Sequence, residues 1–376
     1  MPATEPLTIA MADFHLLWGG QAEVVLALSK SLAARGNKVI VVCPPGSELE
    51  SRSNDAKLDV FTGCHFHKGF RPCSFIRDVS RLGAFLRERG VQILHCHGSQ
   101  DHWIGALAAR FCSRRTSVFR TRHNIYPIRN HLFNRWLFRS LTAQVITIFG
   151  EQKRFFTDIG LLPADRLVTL HSPLPQEFVN PGAVPRVVRS ELKLDAATPL
   201  VGFVANSFHP DKAPLDFVAA AAKVARNIPE ARFCLVGHGP LENDIRARIA
   251  ASGCAERFHL TGFRKDMLQV MASFDLVVLT SVEREASSTV LKQAGALGVP
   301  VVATDVGGTR EVVSDGQTGL VVRPGNVDLI AAAMETLLTN RAQAAAFGAA
   351  AKQKVLGEFT ADAIAEKTET LYRRTL

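Results

Sequence analysis

Lys212, Glu285 and the run Ser287-Ser288-Thr289 are the residues of this chain whose types and placement could do chemistry. Lys212 offers a point positive charge just before a helical segment opened by Pro214. Glu285 follows the apolar run Leu276-Val-Val-Leu279. The backbone N–H groups around Ser287, Ser288 and Thr289 would open the next helix, where the helix dipole and unpaired donors attract an anion. A cation and a helix start could together hold a phosphate-bearing anion, with a carboxylate beside them to accept hydrogen bonds. Plainer readings stand beside these: Lys212 as a solvated surface lysine, Glu285 as an N-cap or first-turn acid.

The elements that would position them form a series. The apolar run at 233–236 ends in Gly237-His-Gly-Pro240, and 258–260 ends in Thr261-Gly-Phe-Arg264. The run at 276–279 ends in the turn 280–285, and 299–304 ends in Asp305-Val-Gly-Gly308. An apolar run, a turn and a helical segment make a βα unit, and chained units make a parallel sheet with its ligand at the carboxyl ends of the strands. Phosphate-friendly turns in this order point to a nucleotide-sugar site. Phe263 and Arg264 are candidates to contact the nucleobase, a core Phe being the alternative, and Gly307, Gly308 and Glu311 would line the same mouth.

The first half repeats the pattern. It predicts strands over 7–11, 38–43, 91–95, 117–121 and 144–148, with helices over 22–35, 77–89 and 103–111 closed or opened by Gly19-Gly20, Gly36 and Gly90. Pro173, Pro175, Pro181, Pro185 and Pro199 punctuate a stretch of little apolar periodicity. At 376 residues the chain is too long for one ordinary core. The expected architecture is α/β: two doubly wound Rossmann-like parallel-sheet domains facing across a cleft, the preferred place for a ligand. Their expected bounds are 1–180 for the first domain, 181–198 for a linker and 199–360 for the nucleotide-sugar domain, with a final helix over 361–376 packing back on the first domain.

Composition, 47% hydrophobic and 21% charged, is that of a soluble globular protein. No apolar run approaches the roughly 18–20 residues that span a bilayer, and the start lacks a signal-peptide layout, so a cytoplasmic location is expected. The seven cysteines are odd in number and lack paired spacing, which predicts reduced thiols. Cys64-His-Phe-His67 with Cys73, and His95-Cys-His97, lack the spacing of zinc modules, so no metal site is expected.

The net charge of +9 is unevenly placed. No acidic residue lies between Asp101 and Glu151, while Arg110, Arg114, Arg115, Arg120, Arg122, Arg129, Arg135 and Arg139 all do. Within 130–139, Leu132, Phe133, Trp136 and Leu137 would share one helical face, with Arg135 and Arg139 on another. This reads either as a surface resting on anionic lipid or as a core-packing helix with solvated arginines. No nucleic-acid motif accompanies the charge, so no nucleic-acid partner is expected.

Gly19-Gly-Gln-Ala-Glu23, His95-Cys-His-Gly-Ser99, Arg120-Thr-Arg-His123 and Pro210-Asp-Lys212 are followed by Val236-Gly-His-Gly-Pro240, Gly262-Phe-Arg264, Glu285 with its helix, and Gly307-Gly-Thr-Arg-Glu311. Over nearly its whole length, in that order, the chain resembles the retaining glycosyltransferases of family 4, which have the GT-B fold. The runs 95–103, 120–124 and 135–139 resemble the branch that builds bacterial lipopolysaccharide or other surface glycans. The resemblance implies a UDP-, GDP- or ADP-linked sugar donor and a lipid-linked glycan acceptor of the lipopolysaccharide core or O-antigen type. It also implies retention by front-face attack, with the leaving phosphate taking the acceptor's proton, and no metal; no Asp-x-Asp occurs in the sequence.

Residue by residue, the resemblance implies that His123 hydrogen-bonds the donor sugar near its reacting carbon, a satisfied structural histidine being the alternative. It implies that Glu285 meets the sugar hydroxyls and Lys212 the diphosphate. Donor binding falls to Gly19, Gly20, Asn206, Ser207, Gly237, Phe263, Arg264, Ser287, Ser288, Thr289 and Gln293. Two departures from the family pattern matter. Asn206-Ser207 stands where an Arg is usual, and the second of two paired glutamates is Gln293, which can hydrogen-bond a diol but carries no charge. His238 stands where Asp is common. The implied location is cytoplasmic, peripheral on the inner face of the cytoplasmic membrane. Competing readings are an epimerase or soluble-acceptor synthase on the same fold, and a non-catalytic nucleotide-sugar-binding subunit.

Overall fold

The computed structural model describes residues 5–376 apart from 68, 70, 114, 127 and 284. The first four residues, Arg114 of the acid-free run and Arg284 of the turn before Glu285 therefore lie outside the described residues. The chain divides into two compact units, Met1–Pro173 with Ala361–Leu376, and Leu174–Thr360.

The first unit is a parallel sheet of seven strands: β1 (Thr8–Ala12), β2 (Lys38–Val42), β3 (Asp59–Phe61), β4 (Ile93–Cys96), β5 (Ser117–Arg122), β6 (Gln144–Thr147) and β7 (Leu167–Thr169). The spatial order is 3-2-1-4-5-6-7, so the winding reverses between β1 and β4. Both faces are apolar, as a parallel sheet covered on two sides requires. Ile9, Met11, Val39, Val41, Ile93 and Phe119 pack with Val25 and Leu28 of the helix Gly20–Ala34 and with Ile364 and Tyr372 of the helix Ala361–Thr375. The alternate residues Ala10, Ala12, Ile40, Val42, Leu94 and Val118 pack with Leu82, Phe85 and Ile104 of the helices Pro72–Glu88 and Ser99–Ala108.

The second unit has six parallel strands: β8 (Leu200–Val204), β9 (Arg232–Val236), β10 (Phe258–Gly262), β11 (Leu276–Leu279), β12 (Val301–Thr304) and β13 (Leu320–Val322). Their order is 10-9-8-11-12-13, with the reversal between β8 and β11. Phe203, Phe233, Leu235 and Val278 face Phe217, Ile245 and Met334, while Val204, Val236, Val277 and Leu279 face Leu291, Val355 and Phe359.

In three places the structure differs from the sequence reading or adds to it. The units part at Pro173, and 181–198 is no free linker: it holds the short helix Val187–Glu191, with Val188 wholly buried. Arg189 donates to the carbonyls of Ser273, Asp195 and Thr198 and pairs with Asp275, which fastens this stretch to the second unit. The strand β8 escapes apolar-run reading because Gly202 interrupts it; a Cβ there would stand 2.4 Å from the Phe274 ring. In the basic segment, the helix Leu132–Trp136 passes into a wider π turn at Leu137–Leu141. That change turns Leu137 into the core while Leu132 and Phe133 stay 80% and 71% exposed. Arg139 bonds the carbonyl of Leu161 at 3.0 Å and Arg120 is buried, so neither is a freely solvated charge.

Candidate functional site

Ligands of doubly wound sheets bind outside the carboxyl ends of the strands where the winding reverses. In the second unit that place is framed by the loops after β8 and β11, which are pinned to each other. The Thr280 hydroxyl lies 2.9 Å from the carbonyl oxygens of both Lys212 and Ala213, and the Val282 N–H donates to Asp211 O at 2.9 Å. Ala213 adopts φ +44°, a left-handed backbone unfavourable for a residue with a Cβ. This turn, followed by Pro214, brings Lys212 across to the neighbouring loop.

Lys212 Nζ donates to Glu285 Oε2 at 2.8 Å, and the Ser281 hydroxyl donates to the same oxygen at 2.9 Å. Glu285 is buried, and the Lys212 side chain is 29% exposed. The loop after β12 fixes the Glu285 backbone: Gly308 N–H donates to its carbonyl at 2.9 Å. Gly307, at φ +54°, lies so close that a Cβ would sit 1.9 Å from that carbonyl oxygen. Three residues on, Ser288 caps the helix Thr289–Ala296 by accepting from Leu291 N–H. The N–H groups of its first turn lack intrahelical partners by geometry. Ser287 is half-buried, Thr289 exposed and Gln293 buried.

The neighbouring loops carry the remaining donor-side candidates. Asn206 and Ser207 are exposed just beyond β8. Gly237, φ +137°, is required where a Cβ would meet Ala205 O at 1.9 Å. Phe263 is 57% exposed and stands edge-on to His238 with 5.8 Å between ring centroids. Arg264 is engaged elsewhere: it grips Glu191 with two bonds of 2.9 Å and Asp266 at 2.8 and 2.7 Å. Those carboxylates raise its pKa further, and the guanidinium is a tether within the second unit rather than a free hand for a nucleobase.

In the first unit the corresponding reversal, between β1 and β4, gathers histidines. His123 follows β5, and its Nε2 lies 2.9 Å from His97 Nδ1. His97 Nε2 and Asp13 Oδ2 are buried without a hydrogen-bond partner, while Asp13 Oδ1 accepts from Gln21 at 2.9 Å and contacts His15 Nδ1 at 2.7 Å. Burial, then the Arg120 charge, pushes His123 down to about 3. Burial likewise takes His95 to about 3 and holds His97 well below the usual range, so these rings are neutral at pH 7. Asp101, buried, accepts from His97 N–H and Gly98 N–H at 2.7 and 2.8 Å and is raised to about 6 by desolvation. Gly19 and Gly20 precede or open the helix Gly20–Ala34 and are exposed, and a Cβ added to either would meet nothing within 4 Å.

The structure thus bonds Lys212 to Glu285 and sets Ser287, Ser288 and Thr289 directly after them, while Arg264 is drawn away. Sequence reasoning missed Ser281, Lys292, Asp13 and His97 as members of these clusters. His97 was visible only as part of a histidine pair, and Lys292 carries no local sign that it is buried. All seven cysteines are free. Among the described residues no group of three or more His, Cys, Asp and Glu is placed to hold a metal ion, and no helix is long and apolar enough to cross a membrane. A cavity of about 750 Å³ in the second unit lies at the opposite, amino-terminal strand edge, beside Pro199, Asp275 and Pro300, and includes none of the candidate residues.

Comparison with known proteins follows the same division. Residues 18–178 match the family model described as Glycosyltransferase Family 4, and residues 198–340 match the model described as Glycosyl transferases group 1. The chain is 33% identical to 2-deoxystreptamine N-acetyl-D-glucosaminyltransferase of Streptomyces fradiae over 56% of its length, spanning 51% of that protein. It is 31% identical to the GDP-mannose-dependent alpha-(1-6)-phosphatidylinositol monomannoside mannosyltransferase of Mycobacterium tuberculosis, covering 84% of this chain and 86% of that one. Among solved structures, a glycosyltransferase from Rickettsia africae superposes with a TM-score of 0.85 at 18% identity, covering 99% of both chains. HepE of Anabaena in complex with UDP superposes at 0.77 and 20% identity, covering 98% of this chain and 100% of that one.

Proposed function

We propose, for a chain that belongs to the family 4 glycosyltransferases with the GT-B fold, that it moves a hexose or related sugar from a nucleotide sugar to a lipid-linked glycan, with retention and without a metal. The observation that carries the donor half is the Lys212–Glu285 pair, 2.8 Å apart at the strand reversal of the second unit beside the start of the helix Thr289–Ala296. A lysine already held by a carboxylate is preorganised: an arriving diphosphate takes its charge, and Glu285 is released toward sugar hydroxyls. The helix start adds donors for the same anion. UDP in the HepE structure supports a nucleoside diphosphate as leaving group. Gly19 and Gly20, with open space where side chains would stand, suit a loop that closes on phosphate or acceptor. His123, neutral and hydrogen-bonded through its ring, suits a contact to a sugar hydroxyl.

For the acceptor, exposed Leu132, Phe133 and Trp136 beside Arg129 and Arg135 favour a lipid-bearing substrate at an anionic surface, on the inner face of the cytoplasmic membrane. The phosphatidylinositol monomannoside in the name of the mycobacterial relative is in keeping with that class. Lipopolysaccharide core or O-antigen intermediates are the acceptors we favour. A second reading, a soluble acceptor, is favoured by the 2-deoxystreptamine in the name of the Streptomyces fradiae relative. The test incubates the protein with UDP-, GDP- and ADP-sugars and both acceptor classes. Transfer to the lipid-linked glycan, lowered by ~10²–10³ in Lys212→Ala and Glu285→Ala, is expected; transfer only to soluble acceptors would overturn the lipid assignment, and no donor turnover at all would overturn the enzyme assignment.

A further inference from the structure

Lys292 is wholly buried, in a helix whose neighbouring side chains are Leu291, Gln293, Ala294 and small residues. Lysine is almost never fully buried unless paired, because its ammonium must leave water. Its Nζ donates to the Ser287 hydroxyl at 3.1 Å and stands 5.9 Å from the centre of the Phe359 ring. Burial lowers it to about 7, and the charge of Glu285 pulls in the opposite direction. Glu285 is thus approached by two ammonium groups. Lys212 bonds it directly, and Lys292 feels its charge at longer range. An apolar side chain of similar length at 292 would fill much the same space.

We propose that Lys292 is a positioning residue of the donor site: through Ser287 it holds the 285–288 loop in the shape that receives a diphosphate. This rests on the reading that the loop takes the donor's diphosphate. Lys292 does not touch the sugar or the phosphate; it acts through Ser287 and Glu285.

The test measures binding of UDP, GDP and ADP by calorimetry, donor KM and kcat, and thermal unfolding, for the wild-type chain and Lys292→Met. The expected result is a nucleoside diphosphate dissociation constant raised about tenfold or more, a donor KM raised in step with kcat changed less, and a Tm equal to or above that of the wild type. A purely structural lysine would instead lower Tm and leave affinity unmoved, and that result overturns the proposal, as does a variant matching wild type in every respect. Ser287→Ala provides a second reading: its effect on affinity and that of Lys292→Met should be non-additive, whereas additive losses would overturn the proposed route through Ser287. A wild-type chain that binds none of the three nucleotides would sink the donor-site reading itself, and this inference with it.

Discussion

At the scale of single residues, charge is organised by pairs. Lys212 rests on Glu285 and Ser281 supports the same oxygen, so removing either charge leaves the other partly buried and unmatched. Lys212→Ala is expected to lower kcat/KM for the donor by ~10²–10³, measured by steady-state transfer, and to lower Tm because the buried Glu285 carboxylate loses its ammonium partner. Arg264 differs: it is saturated by Glu191 and Asp266. Arg264→Ala should therefore appear first as a loss of stability, with the surviving folded protein keeping its nucleotide affinity; a selective loss of affinity would mean that the guanidinium leaves its carboxylates for the donor.

At the scale of elements, loops at the strand ends are fixed by close backbone approach. Gly307 leaves room for Glu285 O, and Gly307→Ala should cost about 2 kcal/mol or more, read as a lower denaturant midpoint together with lost transfer. The ends of β4 and β5 and the helix Ser99–Ala108 carry a set of neutral histidines: His95, His97 and His102 are buried and His123 is half-buried. Their folded pKa values lie below the unfolded one, near 6.5, so the unfolded chain binds more protons as pH falls. The stability they confer is fully present above about pH 6.5 and is lost as pH falls toward their folded values, at up to ~1.4 kcal/mol per histidine per pH unit. Asp101, raised to about 6, works in the opposite sense below that pH, one group against four. Thermal scans from pH 7 to pH 5 should show a marked fall in Tm, and a flat profile would show that these rings are accessible and titrate normally.

At the scale of the whole molecule, the last helix completes the first unit. Tyr372 is wholly buried, with its hydroxyl 2.6 Å from His95 Nδ1, and Arg35 holds Glu369 at 2.7 Å. Tyr372→Phe leaves a buried histidine nitrogen without its partner and should cost ~1–3 kcal/mol, measured by urea unfolding. Deleting 361–376 would uncover the apolar side chains it packs against, and the chain should then fail to fold as a soluble species. Surface character belongs to this scale too. Replacing Leu132, Phe133 and Trp136 together by Ser should leave Tm unchanged, as Leu132 and Phe133 are mostly outside the core, yet abolish sedimentation with anionic vesicles.

The chain's own order of residues determined the two βα series, the family, and the position of Lys212, Glu285 and the Ser287–Thr289 helix start near strand ends. Those are legible because apolar periodicity, turn residues and helix starts are local properties of a chain. Short strands such as β3, β7 and β13 escaped it, being too brief to show a period. What only the tertiary structure decided is partnership: that Lys212 meets a carboxylate 73 residues away, that Arg264 is claimed by Glu191, that His97 lies against His123, and that Lys292 and Arg120 are buried. These depend on which strands lie side by side and which helix covers them, and desolvation, which sets the behaviour of a charge, exists only once the covering element has arrived.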